Sequence, residues 1–576
     1  MKCCCCCLYS ILLLALLGLV RNSLCRELQY SDIARYPNRN NQVVSQAAIN
    51  AASPAIGSTG HDFDERISDL IAGSVLNFAQ YMGKQLGEQN YLEKCEVFSP
   101  VSIMSALALL MLGAKGRSYE ELKPVFGLNS DAELSREPSK FHSEFGLMLE
   151  DLQHHDKGVL RPRQNAYWRQ TPAANNIRNE RPTKVMEHIT KIANGIFTQI
   201  GFSLNPDYKS TINAVYHSML SSVDFAHKPS DARNAINHWV GSSTYGKIPN
   251  IISGNLPRDT NVIIASALYF KGFWENSFLE AATMQDSFFP DGMDQAPISV
   301  KMMATAGVFP FYNAVEYDCR IIGLPYQDNV TTMYVLLPNK SSRKKLKELQ
   351  RSLDATKIED MISRMAKKSA VIAFPKMHLK RTINMKDTLN LLGITQIFGS
   401  GISDLSLIGS SAQGAQVAQA AVPLKLNPVK TSQLKPVVYK GVMTFDRFGE
   451  SIETTPAITI SSRWLTQYDD SQRTISKRQV PPLYFRDSLK NQHLNQLEND
   501  RVKPTTIKSE FFVQDIVHQV DIEINERGTE AAAATLTYLR RSGTDVLFRA
   551  DTPFMFLIRH DPTKLVTFYG IINEPE

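Results

Sequence analysis

The alternation of polar and apolar positions divides this chain into stretches of different character. Residues 26–61 are polar, rich in Asn, Ser, Ala and Gln, and carry no sustained hydrophobic period; they read as a flexible N-terminal tail. Beyond residue 62 the pattern becomes periodic. Ile67, Leu70, Ile71, Ser74, Phe78 and Met82 recur at helical spacing and predict a first helix. The apolar run from Val101 to Leu112 predicts a second, Tyr119 to Val125 a short third, and Phe141 to Leu152 a further amphipathic one. Thr331 to Leu337 reads as a strand between turn-like residues. Two stretches interrupt this order. Residues 157–186 carry Arg161, Arg163, Arg169, Arg178, Arg181 and Lys184, with Pro162, Pro172 and Pro182 breaking any basic helix face. Residues 411–507 open with Gly, Ser, Ala and Gln, hold an apolar patch from Val437 to Phe448 and a dibasic Lys477-Arg478, and are expected to be largely disordered.

Near the C-terminus a predicted edge strand, Val520 to Ile524, runs into Glu526-Arg527-Gly528-Thr529-Glu530-Ala531-Ala532-Ala533-Ala534-Thr535. Four alanines alone favour helix, but the β-branched and aromatic residues that follow suit a strand better. In a strand, Thr529, Ala531, Ala533 and Thr535 share one face and Glu530 lies on the other. All four are small enough to enter a packed sheet, and neither Pro nor an inward charge interrupts the pattern before Leu539. Arg540-Arg541-Ser542-Gly543 then presents a basic, cleavage-like site.

Composition narrows the setting. Of the 576 residues, 43% are apolar, enough for a sizeable core. A net charge of +6 on this length does not mark a nucleic-acid binder. Residues 1–25 read as a secretory leader: Lys2, an apolar run from Leu8 to Val20, and a small-residue end at Ser23-Leu24-Cys25. That run is too short to span a bilayer comfortably, so a secreted, extracellular product with no membrane anchor is expected. Cys3 to Cys7 and Cys25 leave with the leader. Cys95 and Cys319 remain as expected free, buried thiols, and spacing alone does not decide whether they pair. Asn329-Val330-Thr331 and Asn339-Lys340-Ser341 are glycosylation sequons. The chain holds no HExxH, GxSxG or GxxxxGK[ST] motif, and its 12 His are scattered. Neither an enzyme nor a metal or cofactor site is expected.

Five pieces in order resemble the serpin family, the serine protease inhibitors. They are Phe98-Ser99-Pro100-Val101-Ser102-Ile103, Ile236-Asn237 with Trp239, Thr244, Gly246, Lys247 and Ile248, Leu268 to Trp274 (LYFKGFW), the Gly528 to Thr535 segment, and Thr552-Pro553-Phe554 with Phe568-Tyr569-Gly570. The resemblance covers roughly residues 62–410 and 508–576. It implies an α+β serpin fold of about nine helices around three β-sheets, with an exposed reactive-centre loop. The serpin domain then spans 62–576, with 157–186 and 411–507 as insertions. The first lies near the helix that carries a polyanion site in several serpins, so a polyanion partner is conceivable there; a solvated excursion is the expected reading.

What the resemblance implies for function is suicide inhibition of a trypsin-like serine protease by a monomer, in a covalent 1:1 complex. The protease attacks a bait residue, and the freed strand inserts into the central sheet; fifteen or so strand residues span about 50 Å. Glu526, Gly528, Thr529 and Ala531, Ala532, Ala533 and Ala534 form the hinge. Ser99, Ser266, His518 and Trp274 form the gate that opens for it, with Ser266 standing where the family usually has Asn. Glu526 to Arg541 is 16 residues against the family's usual 17. The usual count would place the bond at Ser542-Gly543, but a loop one residue shorter occurs within the family and Arg541-Ser542 resembles its Arg–Ser bait bonds. The order of preference is therefore Arg541-Ser542, then the bond after Arg540, then that after Ser542. The alternative is a non-inhibitory serpin acting as carrier, storage or chaperone protein. Bulky or charged hinge residues would mark it.

Overall fold

A computed structural model describes residues 64–89, 94–153, 163–170, 188–411, 444–445, 451–452, 493–501, 511–529 and 544–575. The leader, the tail, most of both insertions, Ala531 to Ala534 and the Arg540-Arg541-Ser542 site lie outside these residues.

Helix α1 (Glu65–Gln89) carries the predicted period and buries Ile67, Ile71, Phe78 and Met82. After strand β1 (Cys95–Phe98), helix α2 (Pro100–Gly113) begins where the Ser99 side chain accepts from the Ser102 backbone N–H at 3.3 Å, with Pro100 at the first helical position. All of α2 is buried, which explains why its sequence is apolar all round rather than striped. Helix α3 (Pro138–Gln153) leads towards the first insertion.

The central sheet has the order β11-β13-β5-β2-β4, from β2 (Ile189–Gln199), β4 (Met219–Val223), β5 (Val262–Phe273), β11 (Met377–Asn384) and β13 (Val513–Ile524). β13 is parallel to β5 from Val513↔Val262 to Val520↔Leu268, while β11 flanks its other side. The expected edge strand is therefore internal. Its parallel neighbour comes from some 250 residues earlier, which a local pattern cannot reveal. A short strand, β14 (Gly528–Thr529), pairs antiparallel with the far end of β5.

A second, nine-stranded sheet carries the rest: β1, β17 (Leu565–Ile572), β16 (Phe554–His560), β9 (Thr331–Pro338), β8 (Cys319–Pro325), β7 (Ile298–Ala314), β10 (Ala366–Pro375) and β15 (Val546–Arg549), with β6 (Leu279–Phe288) beside β7. β7 is 17 residues long and passes from one part of this sheet into the other, which merges two of the three expected sheets into one ladder. Short helices raise the helix number above nine among the described residues. Cys95 and Cys319 are buried and form no disulfide among the described residues, and burial pushes the Cys319 thiol up to about 12.

Parts of both insertions are ordered among the described residues. Within the first, residues 163–170 pack onto the body. Arg163 pairs with Asp151 at 2.7 Å and Glu144 at 3.3 Å, Trp168 is 2% exposed with Nε1 donating to Tyr334 Oη at 3.1 Å, and Arg169 pairs with Asp561 at 2.9 Å. Buried carboxylates on other elements thus recruit arginines that read locally as solvated. At the end of the second insertion, helix α8 (493–501) buries Leu494 and Leu497, and Arg501 donates to the Leu112 carbonyl at the C-terminus of α2.

Candidate functional site: hinge and gate of the central sheet

At the top of β5 the chain after β13 folds into a tight turn. The Asn525 N–H donates to the Gly528 carbonyl at 2.9 Å, and Asn525 Oδ1 accepts from the N–H groups of Arg527 and Gly528. Gly528 then lies so close to β5 that a Cβ would sit 2.7 Å from Phe273 Cα and closer still to the Gly272 carbonyl oxygen. Only glycine allows this approach. It brings Thr529 into the sheet opposite Gly272, 1% exposed, with its hydroxyl 2.9 Å from Tyr326 Oη.

Trp274 sits directly beside this turn. Its indole N–H donates to the Asn525 carbonyl and its backbone N–H to the Arg527 carbonyl, both at 3.0 Å. Its ring stacks on Tyr326 at 4.5 Å between centroids. Glu526 is 8% exposed and takes bonds from Lys376 Nζ and Thr283 Oγ1, each at 2.9 Å. Burial opposes its ionisation, but the lysine and the hydrogen bonds outweigh burial and hold its carboxyl below the usual range. Arg527 pairs with exposed Glu280.

Lower in the same sheet, His518 is fully buried on β13. The Ser99 backbone N–H donates to its Nε2 at 3.0 Å, so Nε2 carries no proton and the neutral ring is protonated at Nδ1, which faces Ser266 Oγ at 3.2 Å. Ser266 Oγ in turn lies 2.9 Å from Ser102 Oγ. The ring therefore ties β13 to the start of α2 and to β5 at once. Burial drives its pKa down to about 3, against a smaller opposing effect of a hydrogen bond with the Ser266 backbone.

The structure thus brings Ser99, Ser266 and His518 together, and places Trp274 eight residues beyond Ser266, just past the end of β5, beside the Gly528 turn. Sequence reasoning named neither Tyr326 nor Lys376, both of which contact the hinge. It also missed Asn194 on β2, which lies in register with Ser266 and whose amide donates to the Ser102 carbonyl at 3.1 Å. An asparagine therefore does stand at this level, one strand away from the expected place. Of the six basic positions named in the first insertion, Arg163 and Arg169 are committed to internal carboxylates, and the other four lie outside the described residues. Asn329 is exposed in a turn, and Asn339 Nδ2 donates to Asp318 at 3.1 Å.

A sequence model of the family "Serpin (serine protease inhibitor)" matches residues 74–456 and 483–575. The chain belongs to the serpin family. It is 41% identical over 525 residues to Serine protease inhibitor 28Dc of Drosophila melanogaster, covering 91% of this chain and 82% of that one. Against the human Leukocyte elastase inhibitor it is 24% identical, covering 83% of this chain and 92% of the relative. Solved structures share the fold: human Thyroxine-binding globulin complexed with thyroxine (TM-score 0.59, 17% identity, 88% of this chain and 99% of that one), and Manduca sexta Serpin-12 (TM-score 0.57, 20% identity, 88% and 98%). In this serpin, then, the Gly528 turn and the His518 cluster lie along one seam between β13 and β5.

Proposed function

We propose that this serpin is a secreted inhibitor of a trypsin-like serine protease, and that it traps its target by loop cleavage, acyl-enzyme formation and insertion of the freed strand between β5 and β13. The observation that carries this reading is the pairing of Gly528 and Thr529 with Phe273 and Gly272 inside the slot. Strand residues pair one for one, so continuing that register sets Ala531 opposite Phe270, Ala533 opposite Leu268 and Arg541 opposite Thr260. All hinge side chains due on the inner face are small, which favours inhibition over a carrier role.

Chemically, the protease's serine oxygen attacks the Arg541 carbonyl carbon. The new ester C–O bond forms, the Arg541–Ser542 C–N bond breaks, and the Ser542 amine leaves with a proton supplied by the protease's histidine. Arginine at this position suits an acidic specificity pocket. Insertion then carries the ester away from the loop pole before water can hydrolyse it. The leader at residues 1–25 supports secretion, and exposed Asn329 together with Asn339 supports glycosylation on that route. The test is incubation of the mature chain with trypsin. A denaturant-resistant complex is expected, with a released C-terminal fragment that begins at Ser542 and no complex from Arg541→Ala. Cleavage without any complex would refute inhibition.

A further inference from the structure

The register that starts at Gly528 has a definite end. Continued residue by residue, it would bring Arg541 to the level of Thr260, just before β5 begins at Val262. The opposite wall of the slot at that level is Phe511, fully buried, whose ring contacts Phe202 at 4.3 Å. Phe202 opens β3 (Phe202–Leu204), and β3 pairs with β12 (Gly409–Ser411), the last strand before the second insertion. Asn205 follows β3 and caps α4 (Pro206–Tyr216), while its own N–H and amide donate to the carbonyls of Ile408 and Leu407. Both ends of the long insertion are therefore rooted where an inserted loop would end.

Helix α8 stands at this pole. His493 Nδ1 lies 4.0 Å from Asp207 Oδ1 at the start of α4. Its inner side is fixed by buried Leu494 and Leu497, and Arg501 lies 3.9 Å from the Tyr119 ring centroid while bonding Leu112. Its outer side presents exposed Asn495, Gln496 and Asn499. Asp207 is five residues from Phe202, a reach of at most about 18 Å. A trypsin-like domain of about 230 residues has a radius of gyration near 17 Å. The end of the slot and α8 therefore lie within the width of such a domain.

We propose that the polar outer face of α8, centred on Gln496 and Asn499, is the surface against which the delivered, covalently held protease rests. The inference depends on the inhibitory mechanism proposed above and adds a contact that the loop itself does not make. The partner is the trypsin-like protease in its acyl-enzyme state only. An encounter complex on the intact loop sits at the opposite end of β5 and does not reach α8.

The experiment places p-benzoylphenylalanine at Gln496 or at Asn499 in the full-length mature protein and irradiates it with trypsin. Mild base afterwards hydrolyses the ester at Arg541 and leaves any photo-crosslink intact. A base-resistant crosslink with active trypsin, and none with trypsin whose active-site serine is replaced by alanine, is the expected result. A covalent complex with no crosslink from either position overturns the contact and leaves the inhibitory reading standing. A crosslink to inactive trypsin also overturns it, because contact would then precede delivery. Absence of any covalent complex defeats the inhibitory reading, and this inference falls with it.

Discussion

Replacing His518 by Gln isolates one titrating group in the gate. In the folded protein the ring is neutral, with its pKa pushed down to about 3 by burial, against an ordinary value of about 6.5 in the unfolded chain. For a base whose folded pKa is depressed, the unfolded state binds more protons below 6.5. Stability is fully present above that pH and is lost as pH falls towards 3. At 1.36 kcal/mol per unit, the loss from this group between pH 7.5 and 4.5 is about 2–3 kcal/mol. Among the described residues no charged side chain bonds the ring to offset it: its partners are the Ser99 N–H and Ser266. His142 is also buried with a depressed pKa, so wild type loses further stability in acid, and only the difference between proteins reports His518. In His518→Gln, the amide oxygen can accept from Ser99 and the amide N–H can donate to Ser266, without titrating. The assay is urea unfolding of both proteins at pH 7.5 and 4.5. The variant should lose about 2–3 kcal/mol less than wild type across that interval. Equal losses would refute a neutral, proton-refusing histidine at this position.

Other perturbations test the hinge, the slot and the docked insertion. In Thr529→Arg, a guanidinium must replace a hydroxyl bonded to buried Tyr326. An unpaired buried charge costs several kcal/mol, so trypsin should cleave the variant as a substrate, which its stoichiometry of inhibition would show. Cleavage at Arg541 in wild type should raise the thermal midpoint by on the order of tens of degrees, since two new strand ladders each add about 1 kcal/mol per bond; calorimetry of nicked protein checks this. Arg169→Ala leaves the carboxylate of Asp561, fully buried, without its cation, and a loss of about 3–5 kcal/mol in urea unfolding is expected.

What could be read in the sequence depended on whether the signal was local. The period of Ile67, Ile71, Phe78 and Met82 gave α1 because one helix face meets one core. The small residues after Gly528 were legible because a strand exposes its alternation directly. Ser99, Ser266 and His518 followed from the family resemblance, not from any local pattern. Tyr326 escaped notice because its partner Thr529 lies 203 residues away, and Asn194 because its role depends on strand pairing with Ser266. Arg163 and Arg169 looked solvated since the carboxylates that bury them, Asp151 and Asp561, sit on elements whose proximity is a product of folding. Leu494 and Leu497 are only one helical turn apart in a polar stretch, too few apolar positions for periodicity to register.

On the inhibitory mechanism proposed above, the seam between β13 and β5 has to hold in the native form and open in the nicked one. On the side facing β13, β5 is paired with β13 up to Leu268, and β14 takes Gly272 and Phe273. The top of the slot is therefore already entered, held by the Trp274 and Tyr326 bonds to the turn and to Thr529. The next barrier is the His518–Ser266 bond, which closes the strands at the centre. By the register of Gly528, the loop residue that arrives opposite Ser266 is Thr535, on the same inner face as Thr529. On that mechanism its hydroxyl would accept a hydrogen bond from His518 Nδ1 as Ser266 is displaced, which would keep the buried histidine partnered. Thr535→Val keeps shape and β-branching but removes that acceptor. The native form should melt as wild type does, while the nicked form should lose about 1–3 kcal/mol for an orphaned buried N–H. If both forms of the variant melted as wild type, His518 would have no need of a new partner, and the exchange at the gate would be wrong.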